Sequence, residues 1–425
     1  MKRIVTLVAA AALIMGLAAT ASAELGVKAA GSWRVHGNVL SNFGNFDDDN
    51  ATTYGDTFTV QHRMRTQFRF VYNENVMGEL YTEYGNATWG QGSAAYAAGE
   101  NEDGDAFHIK RAFIQFRWPD TDILTTVGEQ DVTLFSSGAF SNMVLGGDDG
   151  AAIVVSAPIT DMIGLTVGFT RLSEVATPTS NNDFDAYFAA LPVALDGMAL
   201  TPWFTYANLG ANNDFLGAAQ GEDVKFWWGG LAFNMDLLDP IVIYADFVYG
   251  NASSDLDTAE TDGWLADAMV EYKALDFALL QLFGAYSSQN SDNDGAMPIV
   301  ASDWGIGGSM INGSSFTTDM GGATPGFWLI GVAARDITFI ERLSHDVVAL
   351  FAKGTNSTNA GFGNGSLPAL TSDDSYWEVD FNTRYQIYES LAAIVELGYG
   401  KPSFDNSATP DDTLMKAAFG FQYSF

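Results

Sequence analysis

The chain of 425 residues contains no cysteine, and its 19 lysines and arginines stand against 52 aspartates and glutamates. Without cysteine it forms no disulfide framework, thiolate metal site or cysteine nucleophile. The formal charge of -33 argues against a nucleic-acid partner, because phosphate binding needs clustered basic side chains. A disordered acidic chain is excluded as well, since 47 % of the residues are hydrophobic. The chain therefore folds around or against something apolar.

The one long hydrophobic run lies at the amino terminus. Two basic residues precede an apolar stretch, 4–19, and an Ala-Ser-Ala motif follows it. This order is typical of a secretory signal peptide, so we expect a cleaved segment 1–23 with the cut between Ala23 and Glu24. An uncleaved transmembrane anchor is the alternative, but it needs about 20 apolar residues.

The rest of the chain shows one sequence pattern throughout. Apolar and polar residues alternate with period two, in segments separated by clusters of Gly, Asn, Asp and Ser. In 57–73, for example, one parity is largely apolar and aromatic, whereas the other carries Arg63, Arg65 and Arg69. Helical spacing does not fit such runs. The pattern predicts long antiparallel strands with one apolar and one polar face.

The connections between these segments alternate between short and long. A transmembrane β-barrel requires this arrangement, with short periplasmic turns, long external loops, a lipid-facing apolar surface and a polar lumen. Closure is obligatory, because unpaired edge amides in lipid are costly. We predict an all-β fold, a transmembrane antiparallel β-barrel of about 16–18 strands with 18 favoured, forming a single domain over 24–425 with long acidic external loops.

Two alternatives remain at this point. A secreted β-sandwich array or propeller would also alternate, but the long ladders, the aromatics near strand ends and the lack of a fixed-period repeat favour the barrel. Sixteen strands would result if weakly marked segments merged, namely those in 123–129, 199–209 and 327–353.

Three stretches resemble a known family. They are the signal MKRIVTLVAAAALIMGLAATASA, the segment IKRAFIQFRWPDTDILTTVGEQDVTL at 109–134, and the terminal FGFQYSF. They are similar to the outer-membrane homotrimeric porins of sulfate-reducing bacteria, within the Gram-negative trimeric porins. The resemblance implies a homotrimer of water-filled barrels in the cell outer membrane, in contact with lipid and lipopolysaccharide. It also implies that Phe421, Tyr423 and Phe425 form the signal that the barrel-assembly machinery recognises.

In trimeric porins the third long loop folds into the barrel and narrows it, so the resemblance implies the same for 130–150. Acids on the loop would then face arginines on the wall, and opposed charges sort permeant ions. The predicted constriction comprises Arg63, Arg65, Arg111, Asp131, Asp148 and Asp149. Arg69 and Arg117, which lie nearer the periplasmic turns, and Lys110, whose parity competes with that of Arg111, are weaker lumen candidates. The alternative is that these side chains merely solvate a polar lumen face.

The function expected from these features is passive diffusion of ions and small hydrophilic solutes, with a cation preference because acids predominate. A substrate-specific channel, for sugars for example, is the alternative, although lumen aromatics are sporadic. No catalytic motif is present, so we expect no enzyme; an outer-membrane protease or phospholipase barrel is the enzymatic alternative.

No cofactor is expected, with one reservation. Acidic stretches in the long connections are rich in oxygen ligands and are candidates for Ca²⁺ or Mg²⁺. They lie at 47–49, 102–105, 255–262, 292–295 and 411–412. None has the full spacing of an EF-hand, and a solvated surface is the alternative interpretation.

Overall fold

The computed structural model describes most of the chain beyond the amino-terminal segment. The described residues are 25–43, 57–90, 97–98, 107–142, 144–145, 149–174, 182–213, 215, 221–254, 260–288, 297–300, 304–305, 308–311, 313–317, 326–357, 370–405 and 410–425. Ala23, Glu24 and Asp148 lie outside them, as do the acidic stretches 47–49, 102–105 and 292–295 and most of 255–262.

The described residues form one antiparallel sheet of eighteen long strands, which confirms the all-β prediction and the larger of the two strand counts. The strands are β1 Gly26–Ser41, β2 Thr57–Asn73, β3 Val76–Trp89, β4 Phe107–Arg117, β5 Leu124–Asp131, β6 Asp149–Pro158, β7 Gly164–Ser173, β8 Phe184–Ala190 with its continuation Val193–Leu195, β9 Met198–Leu209, β10 Val224–Leu238, β11 Ile241–Ser253, β12 Thr261–Leu275, β13 Ala278–Ser287, β14 Phe327–Ile340, β15 Leu343–Gly354, β16 Ser375–Tyr388, β17 Leu391–Ser403 and β18 Leu414–Ser424. A two-residue segment, Ala97–Ala98, pairs in parallel with the end of β3.

The three weakly marked segments each have a structural explanation. The segment 199–209 belongs to β9, which runs without interruption from Met198 to Leu209 although Pro202 has no backbone N–H to donate to the ladder. Strand β5 is short, and β14 and β15 are separate strands joined by a two-residue turn at Glu341 and Arg342. Arg342 adopts a φ of 67°, so this turn has no glycine to mark it in the sequence.

The sheet closes on itself where β18 pairs with β1. The pairing runs from Ser32 opposite Ser424 to Ser41 opposite Met415. It is extended by backbone hydrogen bonds between Gly31 and Phe425, with N···O distances of 2.9 and 3.1 Å. A closed sheet leaves no edge of unpaired amides. Within the described residues there is no helix long and apolar enough to cross a bilayer.

Side chains on the two faces of the sheet differ as the alternation predicts. In β10, Trp228 points inward and is 1 % exposed, whereas its neighbour Trp227 points outward and is 38 % exposed. Outward aromatics contact one another across strands, such as Trp264 and Tyr286, whose ring centroids are 4.8 Å apart. An apolar outer surface with rows of aromatic rings is typical of a sheet that faces lipid.

The two ends of the barrel also differ. Connections at one end, the short-turn end, have two to six residues, and those at the other end, the long-loop end, are longer. Two long connections lie partly against the inner wall: the third long loop, 132–148, and the seventh long loop, 288–326. In the third, the Ser137 backbone N–H donates to Asp246 Oδ1 at 2.7 Å. The two loops also meet, since Val300 N donates to Val144 O at 3.0 Å. They narrow the lumen from the side of the later strands.

Candidate functional site

A cavity of about 530 Å³ remains in the lumen between the first strands and the seventh long loop. Its wall carries five cationic side chains, on β1, β2 and β4. They are Arg34, Arg63, Arg65, Lys110 and Arg111. The opposite side is formed by the hydroxyl-bearing Ser314, Ser315 and Thr317 of the loop. The cavity is thus strongly basic on one side and neutral on the other.

Strand register places the cations side by side. Arg34 of β1 lies directly opposite Arg63 of β2, and Ser32 lies opposite Arg65. Arg34 is 6 % exposed and therefore largely buried between the wall and the loop. Because directly opposed like charges destabilise a sheet, this arrangement is not explained by folding alone.

A β-bulge decides the orientation of Lys110 and Arg111, which strand parity leaves open. Tyr81 pairs with Arg111 and Thr82 with Ile109, so Lys110 is the extra residue of β4. Both cations consequently point into the lumen and reach the same carboxylate. Lys110 Nζ lies 2.6 Å from Asp149 Oδ2, and Arg111 Nε lies 2.6 Å from Asp149 Oδ1.

Three carboxylates neutralise part of this charge. Arg111 Nη2 also lies 2.8 Å from Asp131 Oδ2, and Arg65 Nε forms an ion pair with Glu83. Among the described residues, no carboxylate lies within 4.0 Å of the side-chain nitrogens of Arg34 or Arg63. The described wall of the cavity therefore carries an excess of positive charge at these two arginines.

Arg34 is oriented by uncharged acceptors. Its guanidinium donates to Ser315 O at 2.7 Å, to Asn86 Oδ1 at 3.0 Å and to the hydroxyl of Thr317. Asn86 is the extra residue of a second bulge, beside Gly85, whose φ of 108° favours glycine. A Cβ at Gly85 would lie 2.4 Å from His62 O, which excludes any larger residue without a backbone shift.

The structure changes the geometry expected for the acids. Asp131 and Asp149 were expected on a loop that faces the arginines, but strands β5 and β6 extend as far as these residues. Both acids therefore stand on the same wall as Arg111, beside it rather than across the channel. Asp148 lies outside the described residues. The element that faces the arginines is the seventh long loop.

Arg69 and Arg117 lie elsewhere. Arg69 Nε forms a 3.0 Å ion pair with Glu79 Oε2, nearer the short-turn end. Arg117 Nη1 lies 3.3 Å from Asp122 Oδ1 in the turn that follows β4. Neither residue belongs to the lining of the cavity.

Several residues of the site were not predicted. Arg34 shares the polar parity of β1, so the alternation of that strand was the signal for it. Glu83 follows from the cross-strand register with Arg65, which a single sequence does not show. The seventh long loop has no periodic pattern, so nothing in the sequence marks Ser315 or Thr317 as pore-facing.

The described residues contain no group of three or more His, Asp or Glu side chains placed to hold a metal ion. The predicted Ca²⁺ or Mg²⁺ stretches lie mostly outside the described residues. They stay a prediction.

No protein-family model matches the chain. No curated protein sequence matches it at a significant level. Solved structures of Gram-negative outer-membrane channels match it in fold. A BenF-like porin from Pseudomonas fluorescens Pf-5 has a TM-score of 0.58 at 10 % identity, covering 94 % of this chain and 99 % of that one. OpdL of Pseudomonas aeruginosa has a TM-score of 0.56 at 12 % identity, covering 94 % and 98 %. OccAB3 of Acinetobacter baumannii has a TM-score of 0.55 at 11 % identity, covering 94 % and 99 %. At these identities the likeness shows a shared barrel fold.

Proposed function

We propose that the protein is an outer-membrane porin of a Gram-negative bacterium, a channel through which ions and small hydrophilic solutes diffuse passively. The observation that carries the proposal is a closed barrel, apolar outside, whose lumen contains a cavity lined by charged side chains. The expected signal peptide at 1–23 and the shared fold of outer-membrane channels support the same location. The short-turn end would then face the periplasm.

Reconstitution of the purified protein tests this function. In planar bilayers it should give discrete, long-lived current steps proportional to bulk salt, and in liposomes it should admit small sugars. A protein that inserted in folded form without conducting would contradict a porin. Hydrolysis assays on peptides and phospholipids address the enzymatic alternative.

Two charge distributions in the protein lead to opposite expectations for its ion selectivity. The excess of acids in the sequence predicts a cation preference, and the acidic long loops would concentrate cations at the mouth. The described cavity has the opposite sign, because Arg34 and Arg63 have no carboxylate partner there. Selectivity depends on the side chains that line a pore, so the geometry of this cavity favours anions.

A second candidate function follows from the same observation: a channel selective for small anionic solutes, such as carboxylates. Two neighbouring guanidiniums without a described carboxylate partner suit an oxyanion, because guanidiniums donate charge-assisted hydrogen bonds to such anions. A monocarboxylate added to a chloride-conducting pore should then reduce the current at concentrations where a neutral solute does not. If the monocarboxylate and the neutral solute reduce the current equally, the channel is a general pore without anion selectivity.

The sugar-selective alternative has less support. Sugar channels rely on exposed aromatic faces, but the face of Tyr81, the one aromatic ring that lines the cavity, is covered by Arg111, whose Cζ lies 5.5 Å from the ring centroid. Titration with maltose should therefore leave the salt current unchanged.

The remaining partners rest on the sequence resemblance to porins of sulfate-reducing bacteria and stay proposals. They are a homotrimer, contacts with lipopolysaccharide and recognition of the carboxy-terminal segment by the barrel-assembly machinery. Binding of Ca²⁺ or Mg²⁺ at the acidic loops is a separate proposal, which rests on their richness in oxygen ligands. Cross-linking of intact outer membranes tests the trimer. Chelation tests the divalent ions, since it should lower trimer melting and increase proteolysis of the loops if they bind there.

A further inference from the structure

The lumen face of β16 and β17 carries three carboxylates that are fully buried. Glu378, Asp380 and Glu396 are each 0 % exposed. Among the described cations, Lys416 reaches this group, with its Nζ 2.9 Å from Glu396 Oε2. Buried carboxylates need partners, because removal from water is costly when their lone pairs are unsatisfied. Here most of the partners come from the seventh long loop.

In the loop segment 308–317, of which 308–311 and 313–317 are described, the first part binds the two carboxylates of β16. Ser309 donates to Asp380 twice, from its backbone N at 2.8 Å and from its hydroxyl at 2.9 Å. The backbone N of Met310 donates to Glu378 Oε1 at 3.0 Å. Hydrogen bonds to a charged acceptor are among the stronger ones, and these three fix consecutive residues of the loop.

The second part of the segment binds Glu396 of β17. Ser315 donates from its backbone N at 2.6 Å, and Ser314 donates from its hydroxyl at 2.6 Å. Lys416 joins the two parts, because its Nζ also donates to Ser309 O at 2.8 Å. The loop is therefore attached to three adjacent strands of the wall.

Close packing accompanies these bonds. Met310 is 0 % exposed and lies against Gly398, where a Cβ would come within 2.6 Å of its sulfur. Phe316 stacks on His36 of β1, with ring centroids 4.6 Å apart and an angle of 11° between the planes. Between these contacts the segment turns Ser315 and Thr317 towards Arg34, on the far side of the cavity.

We infer that Glu378, Asp380 and Glu396 determine the aperture of the channel by holding segment 308–317 against the wall. The inference rests on the proposed function, since an aperture has a consequence only in a channel. When the carboxylates are removed, the segment loses its attachment, the passage beside Arg34 widens, and Arg34 loses two of its three acceptors. These acids therefore act at a distance on the permeation path, as positioning residues.

The test uses substitutions that preserve side-chain volume, so that any widening comes from the loop. The triple variant Glu378→Gln, Asp380→Asn, Glu396→Gln should raise single-channel conductance by roughly twofold and admit larger polyethylene glycols. The matched control is Glu341→Gln, in an exposed short turn, which should conduct like the wild type. Heat-dependent gel mobility verifies that each variant is a folded barrel.

A reversible lock covers the case in which the triple variant fails to fold. The chain has no cysteine, so Ser309→Cys with Asp380→Cys introduces one defined thiol pair. The pair should conduct like the wild type when it is cross-linked and show part of the increase when it is reduced, because Asp380 accepts two of the five hydrogen bonds from the loop. Two results overturn the inference and leave the porin function standing. One is equal conductance of the cross-linked and reduced forms, and the other is a triple variant with wild-type conductance and polymer exclusion.

The attachment of the loop segment to the barrel wall can also be measured without recording channel currents. A Met310→Cys probe should react slowly with a maleimide in the otherwise unchanged protein and rapidly in the triple variant. Equal rates overturn the inference even if no channel is observed, whereas a rate difference in a protein that does not conduct contradicts the porin function alone.

Discussion

Arg34 and Arg63 lie directly opposite each other on β1 and β2, and both guanidiniums line the same cavity. Directly opposed like charges cost a sheet roughly 0.2–1 kcal/mol relative to neutral pairs. Arg34 is held by three uncharged acceptors, and no described carboxylate lies within 4.0 Å of the side-chain nitrogens of either arginine. A pair that weakens the sheet yet is held in place by the surrounding residues is typical of a functional site.

Arg63→Gln should therefore stabilise the barrel slightly while weakening its selectivity. We predict a gain in the free energy of unfolding of about 0.5 kcal/mol from the relieved repulsion, and a reversal potential shifted towards cations. Urea unfolding in lipid vesicles and bilayer recording in a salt gradient measure the two effects.

Arg69→Gln is the matched control for that variant, because it removes the same charge from the same face of β2 outside the cavity. It breaks the pair with Glu79, which is 6 % exposed, so it should destabilise the barrel and leave the reversal potential unchanged. The account would be contradicted if both variants shifted selectivity equally.

Asp149→Asn should change selectivity in the opposite direction. Asp149 pairs with both Lys110 and Arg111, so its neutralisation leaves more positive charge in the cavity. We predict a stronger anion preference and a modest loss of stability, about 1 kcal/mol, because the cluster is partly exposed. The assignment is supported if the reversal potentials of Arg63→Gln and Asp149→Asn lie on opposite sides of the wild-type value. Shifts of the same sign would refute it.

The buried ion pair between Lys416 and Glu396 offers a test of stability. Lys416→Met leaves Glu396 without a cation in a site that is 0 % exposed, so the barrel should lose about 3 kcal/mol. Adding Glu396→Gln should recover part of this loss, because the remaining groups are uncharged. A double variant less stable than Lys416→Met would show that the pair is not the source of the effect. Thermal unfolding monitored by gel mobility is sufficient for the comparison.

Strand number and face were predictable from the sequence because lipid and water impose period two on every strand. Arg63 and Arg65 could be assigned to the lumen for this reason, whereas parity left Lys110 and Arg111 as competing candidates. The alternation fails at Lys110, where a bulge adds one residue and lets Lys110 and Arg111 both point inward. A bulge is a register property of two strands, so one strand's pattern does not reveal it.

The seventh long loop shows the other limit. Its attachment depends on backbone N–H groups of Ser309, Met310 and Ser315, which every non-proline residue carries. Buried carboxylates such as Glu378 resemble any lumen acid in the sequence. The excess of acids therefore predicted a cation preference, although part of that excess lies under the loop, away from the open passage.

The closing seam yields a prediction for assembly. Phe425 makes two backbone hydrogen bonds with Gly31, and its ring lies 5.9 Å from that of Trp33. Deletion of Phe425 removes these contacts, each hydrogen bond contributing about 1 kcal/mol, and should lower the yield of folded barrel. Phe425→Tyr should assemble normally. Normal yield after the deletion would show that the seam closes without this residue.

The central claim is that permeation passes beside Arg34 of β1 and Arg63 of β2, which have no described carboxylate within ion-pair distance. Its most direct test is the zero-current potential of the wild-type channel in a potassium chloride gradient, repeated with the Arg34→Gln and Arg63→Gln double variant. The account predicts an anion preference in the wild type that the double variant loses. A cation preference that is the same in both proteins would contradict it.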